Sequence, residues 1–202
     1  MTLHEAQEVL EHGTTIPGKL LRKHLEVVNA HATWQWLSRR DPHAALSEAF
    51  VREVPRRLMQ GILGEEAGWH RRAAVFVRGS RHVPPNWVKV PELRAQWVDR
   101  HAMRPLTVSP VGWAARGHIE LAAIHPSLDG NGRTCRLVAS ALLMQADYPP
   151  ALYEVTVRRE YMQALERAQV SGDDEPPIRV TAAAAEVMLD RWWLLIQQGH
   201  QG

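Results

Sequence analysis

The stretch His125-Pro126-Ser127-Leu128-Asp129-Gly130-Asn131-Gly132-Arg133-Thr134-Cys135-Arg136 constrains this chain more than any other. It gathers an imidazole, a carboxylate, a glycine-rich turn and two guanidinium groups between two apolar helical segments. Gly130 and Gly132 permit a tight turn whose amides approach a ligand with no Cβ in the way. A helix opening near Asn131 adds the positive end of its dipole. Arg133 and Arg136 lie three apart, so they share a helix face and reach one polyphosphate. Asp129 is the obvious hard ligand, suited to Mg²⁺ held mainly by phosphates and water. His125 titrates near working pH and is the candidate base. A plain Asp-Gly-Asn-Gly turn requires neither His125 before it nor two arginines after it, so the composition points to a site for a metal-bound phosphate.

These residues resemble the signature of the Fic family, His-Pro-Phe-x-Asp-Gly-Asn-Gly-Arg-x-x-Arg, with Ser127 standing where the family has Phe. The resemblance implies a mainly α fold, a Fic-type helical bundle around a central signature helix, with a short β-hairpin flap. It implies a protein adenylyltransferase that moves AMP from Mg-ATP to a Tyr, Thr or Ser hydroxyl of a target protein. In that reading His125 is the catalytic base and Asp129 holds Mg²⁺. Gly130, Asn131 and Gly132 cradle the α-phosphate, and Arg133 and Arg136 hold the β- and γ-phosphates. Kinase-like relatives carry Ala and Lys at the positions of Gly130 and Arg133, and phosphocholine-transferring ones carry Ala at the first, so this chain keeps the AMP-transfer form. Ser140 stands where many relatives have Asn near the nucleotide. The family's Phe is a hydrophobic anchor, and burying one contributes roughly 1.5 to 3 kcal/mol. Ser127 therefore implies a loosened loop and weakened transfer. The alternative is an impaired Fic module that binds nucleotide or protein without catalysis.

With 202 residues and a single cysteine, the chain is one compact unit without a disulfide framework. It reads as an N-terminal helical segment, 1–63, preceding a core, 64–202. Cys135 reads as a small buried thiol. A net charge of +2 with both signs interspersed gives no support to nucleic-acid binding. The absence of a long apolar run or a leader-like start argues against a membrane and for a cytoplasmic protein. Residues Val9 to Gly13, Ile16 to Lys19 and His24 to Glu26 resemble the segment that follows an inhibitory helix in many Fic proteins. The resemblance starts at Met1, which implies that this helix is absent and the site unbraked in cis. Thr156 with Glu160, and Ser171 with Glu175, have the brake's spacing but lack the Gly or Asn that should follow. A separate inhibitor chain and a homodimer stay open as partners.

Hydrophobic periodicity predicts helices over 3–12, 19–37, 43–63, 91–101, 109–124, 131–144 and 177–197. In the second, Leu21, Leu25, Val28, Ala32 and Trp36 form the apolar face. Pro55 predicts a kink or break near Val51 to Val54. Val75-Phe76-Val77, Gly79-Ser80 and Arg81-His82-Val83 read as a hairpin, and the resemblance makes Gly79 to Val83 the flap that docks the target. His82 reads as a solvated flap side chain, and His118 as a packed core histidine rather than a ligand. Arg158-Arg159-Glu160-Tyr161 resembles the family's Arg-x-x-Tyr segment, which places Tyr161 at the adenine or in a half-buried packing role. Of Trp192 and Trp193, one is expected in the core and the other over a neighbour or a dimer surface.

Overall fold

A computed structural model describes residues 1–199 as eight α-helices. The two that flank the signature loop form the centre: α5, Pro110–Ile124, and α6, Asn131–Met144. Helix α5 starts where sequence rules place it, with the Ser109 hydroxyl accepting from the Gly112 amide at 3.1 Å and Pro110 in the first turn. Its small residues are structural: Ala114, Ala115 and Gly117 are buried, and a Cβ at Gly117 would lie 2.6 Å from Leu142 and 3.1 Å from the His101 ring. The two helices can therefore pack closely enough for Leu142 and Leu143 to be buried with Leu121.

Around this pair lie α2, Leu21–Ser38, α3, Glu48–Leu58, and α4, Val90–His101, whose Leu37, Phe50, Val54, Leu58 and Trp97 complete the main core. Trp97 is fully buried and donates its indole N–H to the Gly117 carbonyl at 3.0 Å. On the other flank, α7, Arg158–Ser171, and α8, Glu175–Gly199, pack with α5 to form a second cluster from Ile119, Tyr161, Leu165 and Val180. The first helix, α1, Leu3–His12, is closed by a capping box between Thr2 and Glu5 and ends on Gly13 at φ 64°. No helix among the described residues is long and apolar enough to cross a membrane.

Several expectations are corrected. The buried face of α2 is His24, Thr33 and Leu37, while Leu21 and Val28 are exposed. Polar His24 and Thr33 can turn inward because each has a partner: His24 Nε2 accepts from the Ile16 amide at 2.8 Å, and the Thr33 hydroxyl donates to the Asn29 carbonyl at 2.6 Å. Helix α3 is shorter than 43–63 and continues through Pro55, whose ring is buried beside Val54 and Leu58. Tertiary packing outweighs the lost amide in its final turn. Both Trp192 and Trp193 are exposed, because α8 extends beyond the neighbours that bury its first half.

The β-hairpin flap is not seen: among the described residues 72–83 contain a turn, with the Ser80 amide donating to the Val77 carbonyl at 3.1 Å, but no strand pair. An isolated two-stranded ribbon is marginal in water, and here side-chain contacts to the helices hold the segment instead.

Candidate active site

His125 ends α5 in the left-handed region at φ 50°, a conformation that a non-glycine residue adopts at some cost. Two contacts impose it. Its amide donates to the Leu121 carbonyl at 3.1 Å, and its carbonyl accepts from Arg71 Nε at 2.8 Å. Arg71 is itself 1% exposed and also donates to the carbonyls of Ala73 at 2.9 Å and Pro85 at 2.6 Å. The Arg71 amide donates to Pro126 at 2.8 Å. One buried guanidinium thus ties both ends of the flap to the turn that carries the imidazole. Burial pushes the His125 imidazole below its ordinary value. The Arg71 and His82 charges act in the same direction, while a backbone hydrogen bond at Ala122 and the Asp129 carboxylate oppose it.

The loop after His125 is closed by Asn131. Its Oδ1 accepts from the Ser127 amide at 2.9 Å and its Nδ2 donates to the Ser127 carbonyl at 2.8 Å, with both residues buried. The Asn131 side chain is therefore engaged in pinning the loop and the Gly130 amide donates to Asp129 Oδ1, which leaves the backbone at Asn131 and Gly132 to offer to a phosphate. Gly130 has φ 80°, and a Cβ there would sit 2.8 Å from Met59 Sδ, so the position admits only glycine comfortably.

Asp129 is half-exposed at the mouth of the site and forms an ion pair with Arg22 of α2. Arg22 Nε also faces Glu26 at 3.4 Å, and the same Glu26 oxygen lies 3.6 Å from Arg133. Two residues of α2 thus interleave with the carboxylate expected to hold a metal and the arginine expected to hold phosphate. A lone carboxylate carrying a cationic partner fits Mg²⁺ held chiefly through phosphates and water. Among the described residues no cluster of three metal-ligating side chains exists.

Arg136 stacks 5.7 Å from the centre of the Tyr161 ring. The Tyr161 hydroxyl meets His118 Nε2 at 2.9 Å. Tyr153 lies 3.5 Å from the other His118 nitrogen and 3.1 Å from the Thr181 hydroxyl. His118 is the packed core histidine expected of it, held neutral because burial and then the Arg136 charge push it down to about 3. Tyr161 is buried rather than half-buried, its hydroxyl pushed up to about 12 by burial. Cys135 is a buried thiol pushed up to about 12 for the same reason.

Over these groups the flap forms one wall of a cavity of about 1190 Å³ that also takes in His125, Asp129 to Arg133, Arg136 and Tyr161. Glu166 of α7 grips the flap by accepting from the Ser80 hydroxyl, from the Arg81 amide at 2.9 Å and from Arg81 Nε at 3.2 Å. His82 is not solvated: it is half-buried, and its ring donates to the Ala123 carbonyl at 2.9 Å, in the last turn of α5. Gly79 turns at φ 78°, and Val83 is exposed. All the residues expected at the phosphates converge on this cavity. The supports Arg71, Arg22, Glu26 and Glu166 were not legible, because no periodicity or local motif marks a side chain whose partner is distant in sequence.

A family model described as "Fic/DOC family" matches residues 45–143. The chain is 32% identical over 197 residues to protein adenylyltransferase fic-1 of Caenorhabditis elegans, covering 95% of this chain and 38% of that protein. It is 31% identical to protein adenylyltransferase Fic of Culex quinquefasciatus, covering 99% of this chain and 40% of that protein. The chain therefore spans less than half the length of these curated relatives. A solved fragment of C. elegans Fic-1 superposes with a TM-score of 0.87 at 30% identity, over 98% of this chain and 59% of that one. With the signature loop, its helix and the surrounding bundle all matched, the chain belongs to the Fic/DOC family.

Proposed function

We propose that this chain is a protein adenylyltransferase that transfers AMP from Mg-ATP to a side-chain hydroxyl of a target protein. The observation that carries the reading is His125, held at φ 50° at the edge of a cavity that also contains Asp129, the Gly130 to Gly132 backbone, Arg133 and Arg136. The names of the relatives at 31 to 32% identity support the same chemistry.

His125 accepts the proton of the target hydroxyl as its oxygen bonds to the α-phosphorus and the bond to the pyrophosphate oxygen breaks. Its depressed pKa keeps the imidazole neutral and ready to accept that proton at neutral pH. The amides at Asn131 and Gly132, in the first turn of α6, face the charge that builds on the α-phosphate, while the Gly130 amide is held by Asp129 Oδ1. Arg136, stacked on Tyr161, and Arg133 take the departing pyrophosphate. Asp129 would hold Mg²⁺, which would supply charge neutralisation to the phosphates. Arg133 and Asp129 engage nucleotide and metal by releasing Glu26 and Arg22.

The test is transfer of label from α-³²P-ATP to the protein or to a partner in a lysate. Wild type should label and His125→Ala should not. ATP binding without any transfer would overturn the enzyme reading in favour of a nucleotide-binding module, the outcome that Ser127 in place of Phe would then explain. Ser127→Phe is expected to raise both thermal stability and transfer rate, and no change in either would remove that account.

A further inference from the structure

The cavity is far more basic than the chain. Seven arginines line it against three carboxylates, while the whole sequence has 24 Lys and Arg against 22 Asp and Glu. On the transferase reading a triphosphate takes two of the seven. Arg133 and Arg136 flank the loop where phosphates bind. Arg81 is matched by Glu166 at 3.2 Å and Arg167 by Asp173 at 2.7 Å. Glu154 offsets nothing here, since it pairs with Arg191 at 2.8 Å. Arg78 on the flap and Arg158 and Arg159 opposite it remain exposed, and among the described residues none of the three has a carboxylate partner.

Their placement runs against local preference. Arg158 and Arg159 are the first two residues of α7, adjacent to one another and at the positive end of the helix dipole. A cation in that position opposes the dipole. Such a conflict between local rule and observed residue is the mark of a functional surface. Between the two groups of arginines lies a backbone segment whose amides are unpaired, while its Ala73 and Val77 carbonyls accept from Arg71 and from the Ser80 amide. Among the described residues no backbone hydrogen bond is made by the amides of 72–79, and Phe76 is 86% exposed. Arg71 and Glu166 anchor the segment at its two ends, so this edge is held in place rather than paired. An extended peptide added there would pass between Arg78 and Arg159 on its way to His125.

Resting on the transferase reading, we propose that the segment docking on this face is an extended acidic peptide, with Asp or Glu flanking the hydroxyl that receives AMP. Complementary charge at a partly enclosed mouth raises the encounter rate and rejects neutral and basic segments, and does so most at low salt. A target without flanking acids leaves the three arginines repelling one another.

Short fluorescein-labelled peptides with one central Thr and acidic, neutral or basic flanks test this by anisotropy, in the presence of Mg²⁺ and the ATP analogue AMPPNP. The acidic peptide should bind wild type roughly tenfold tighter than the neutral one at about 50 mM salt, with the gap closing as salt rises. Arg78→Glu combined with Arg159→Glu should remove the preference while AMPPNP binding stays as in wild type. Arg78→Gln with Arg159→Gln should weaken it in the same direction. Equal affinity for all three peptides, or a preference that survives both double variants, would overturn the proposal. So would displacement of the acidic peptide by a single-stranded RNA oligonucleotide at lower concentration, which would mark the face as a nucleic-acid surface. An acidic peptide that binds selectively but gains no label from α-³²P-ATP leaves the docking inference standing and removes the transferase reading. Labelling indifferent to flanking charge does the reverse.

Discussion

Asn131 illustrates how a residue expected at the phosphate is committed to bracing its own loop. Its place in the signature marks it as phosphate-facing, yet its amide spans the loop and satisfies both backbone groups of Ser127 at 2.8 and 2.9 Å. Those groups are buried, so deleting the side chain leaves a donor and an acceptor without partners. Asn131→Ala is expected to cost about 1 to 3 kcal/mol by the usual penalty for an orphaned buried polar group. It should also lower transfer, because the loop that aims His125 loses its brace. Thermal melting checks the first expectation, and a wild-type melting temperature would refute it. Arg71 carries a comparable load from outside the motif. One side chain meets three carbonyls, and its own amide a fourth, holding the His125 turn and the flap base together.

Among the elements, α2 contributes most that its sequence conceals. Its apolar positions suggest a simple packing helix, but the residues that face the site are Arg22 and Glu26, one turn apart and of opposite sign. They alternate with Asp129 and Arg133, so each charged group of the loop has a partner before any nucleotide arrives. Arg22 therefore competes with a cation for Asp129. A half-exposed pair of this kind is worth up to about 1 kcal/mol. Arg22→Gln is accordingly expected to tighten Mn²⁺ binding to the AMPPNP complex by up to about fivefold, read by the loss of the free-ion EPR signal. Unchanged or weaker Mn²⁺ binding would show that α2 does not screen the carboxylate. The flap belongs to this scale too: its alternating sequence allows a hairpin, but its conformation is set by Glu166 and Ala123, groups on two helices.

Over the whole molecule the buried and half-buried histidines make the fold sensitive to acid. His118 is pushed down to about 3, and His101, His125 and His70 are also lowered, each by burial first. In the unfolded chain these groups take up protons near pH 6.5. Between that pH and their folded values, the unfolded state binds more protons, so stability rises with pH and is lost on acidification. Denaturant midpoints should fall progressively from pH 6.5 towards 3, and His118→Gln should flatten that fall. A midpoint flat over the range would contradict the linkage. The same burial has a kinetic face: the acid limb of kcat/KM for transfer should lie below pH 6.5, since His125 must be neutral to accept a proton.

What the sequence by itself determined was local. Helix starts such as Thr2 and Ser109 with Pro110, the glycine turn at Gly130 and the grouping of His125, Asp129, Arg133 and Arg136 follow from rules that act within a few residues. The grouping of the candidate site was legible for that reason, since its members lie in one continuous stretch. Only the tertiary structure decided which face of α2 is buried, that the flap is clamped rather than paired with itself, and which cations at the mouth remain unmatched. Each of these depends on a partner far away in sequence: Glu166 is 85 residues from Arg81, and Asp129 is 107 residues from Arg22. Side-chain partners of that kind leave no period in the sequence, and their energies are decided by the neighbours that folding supplies.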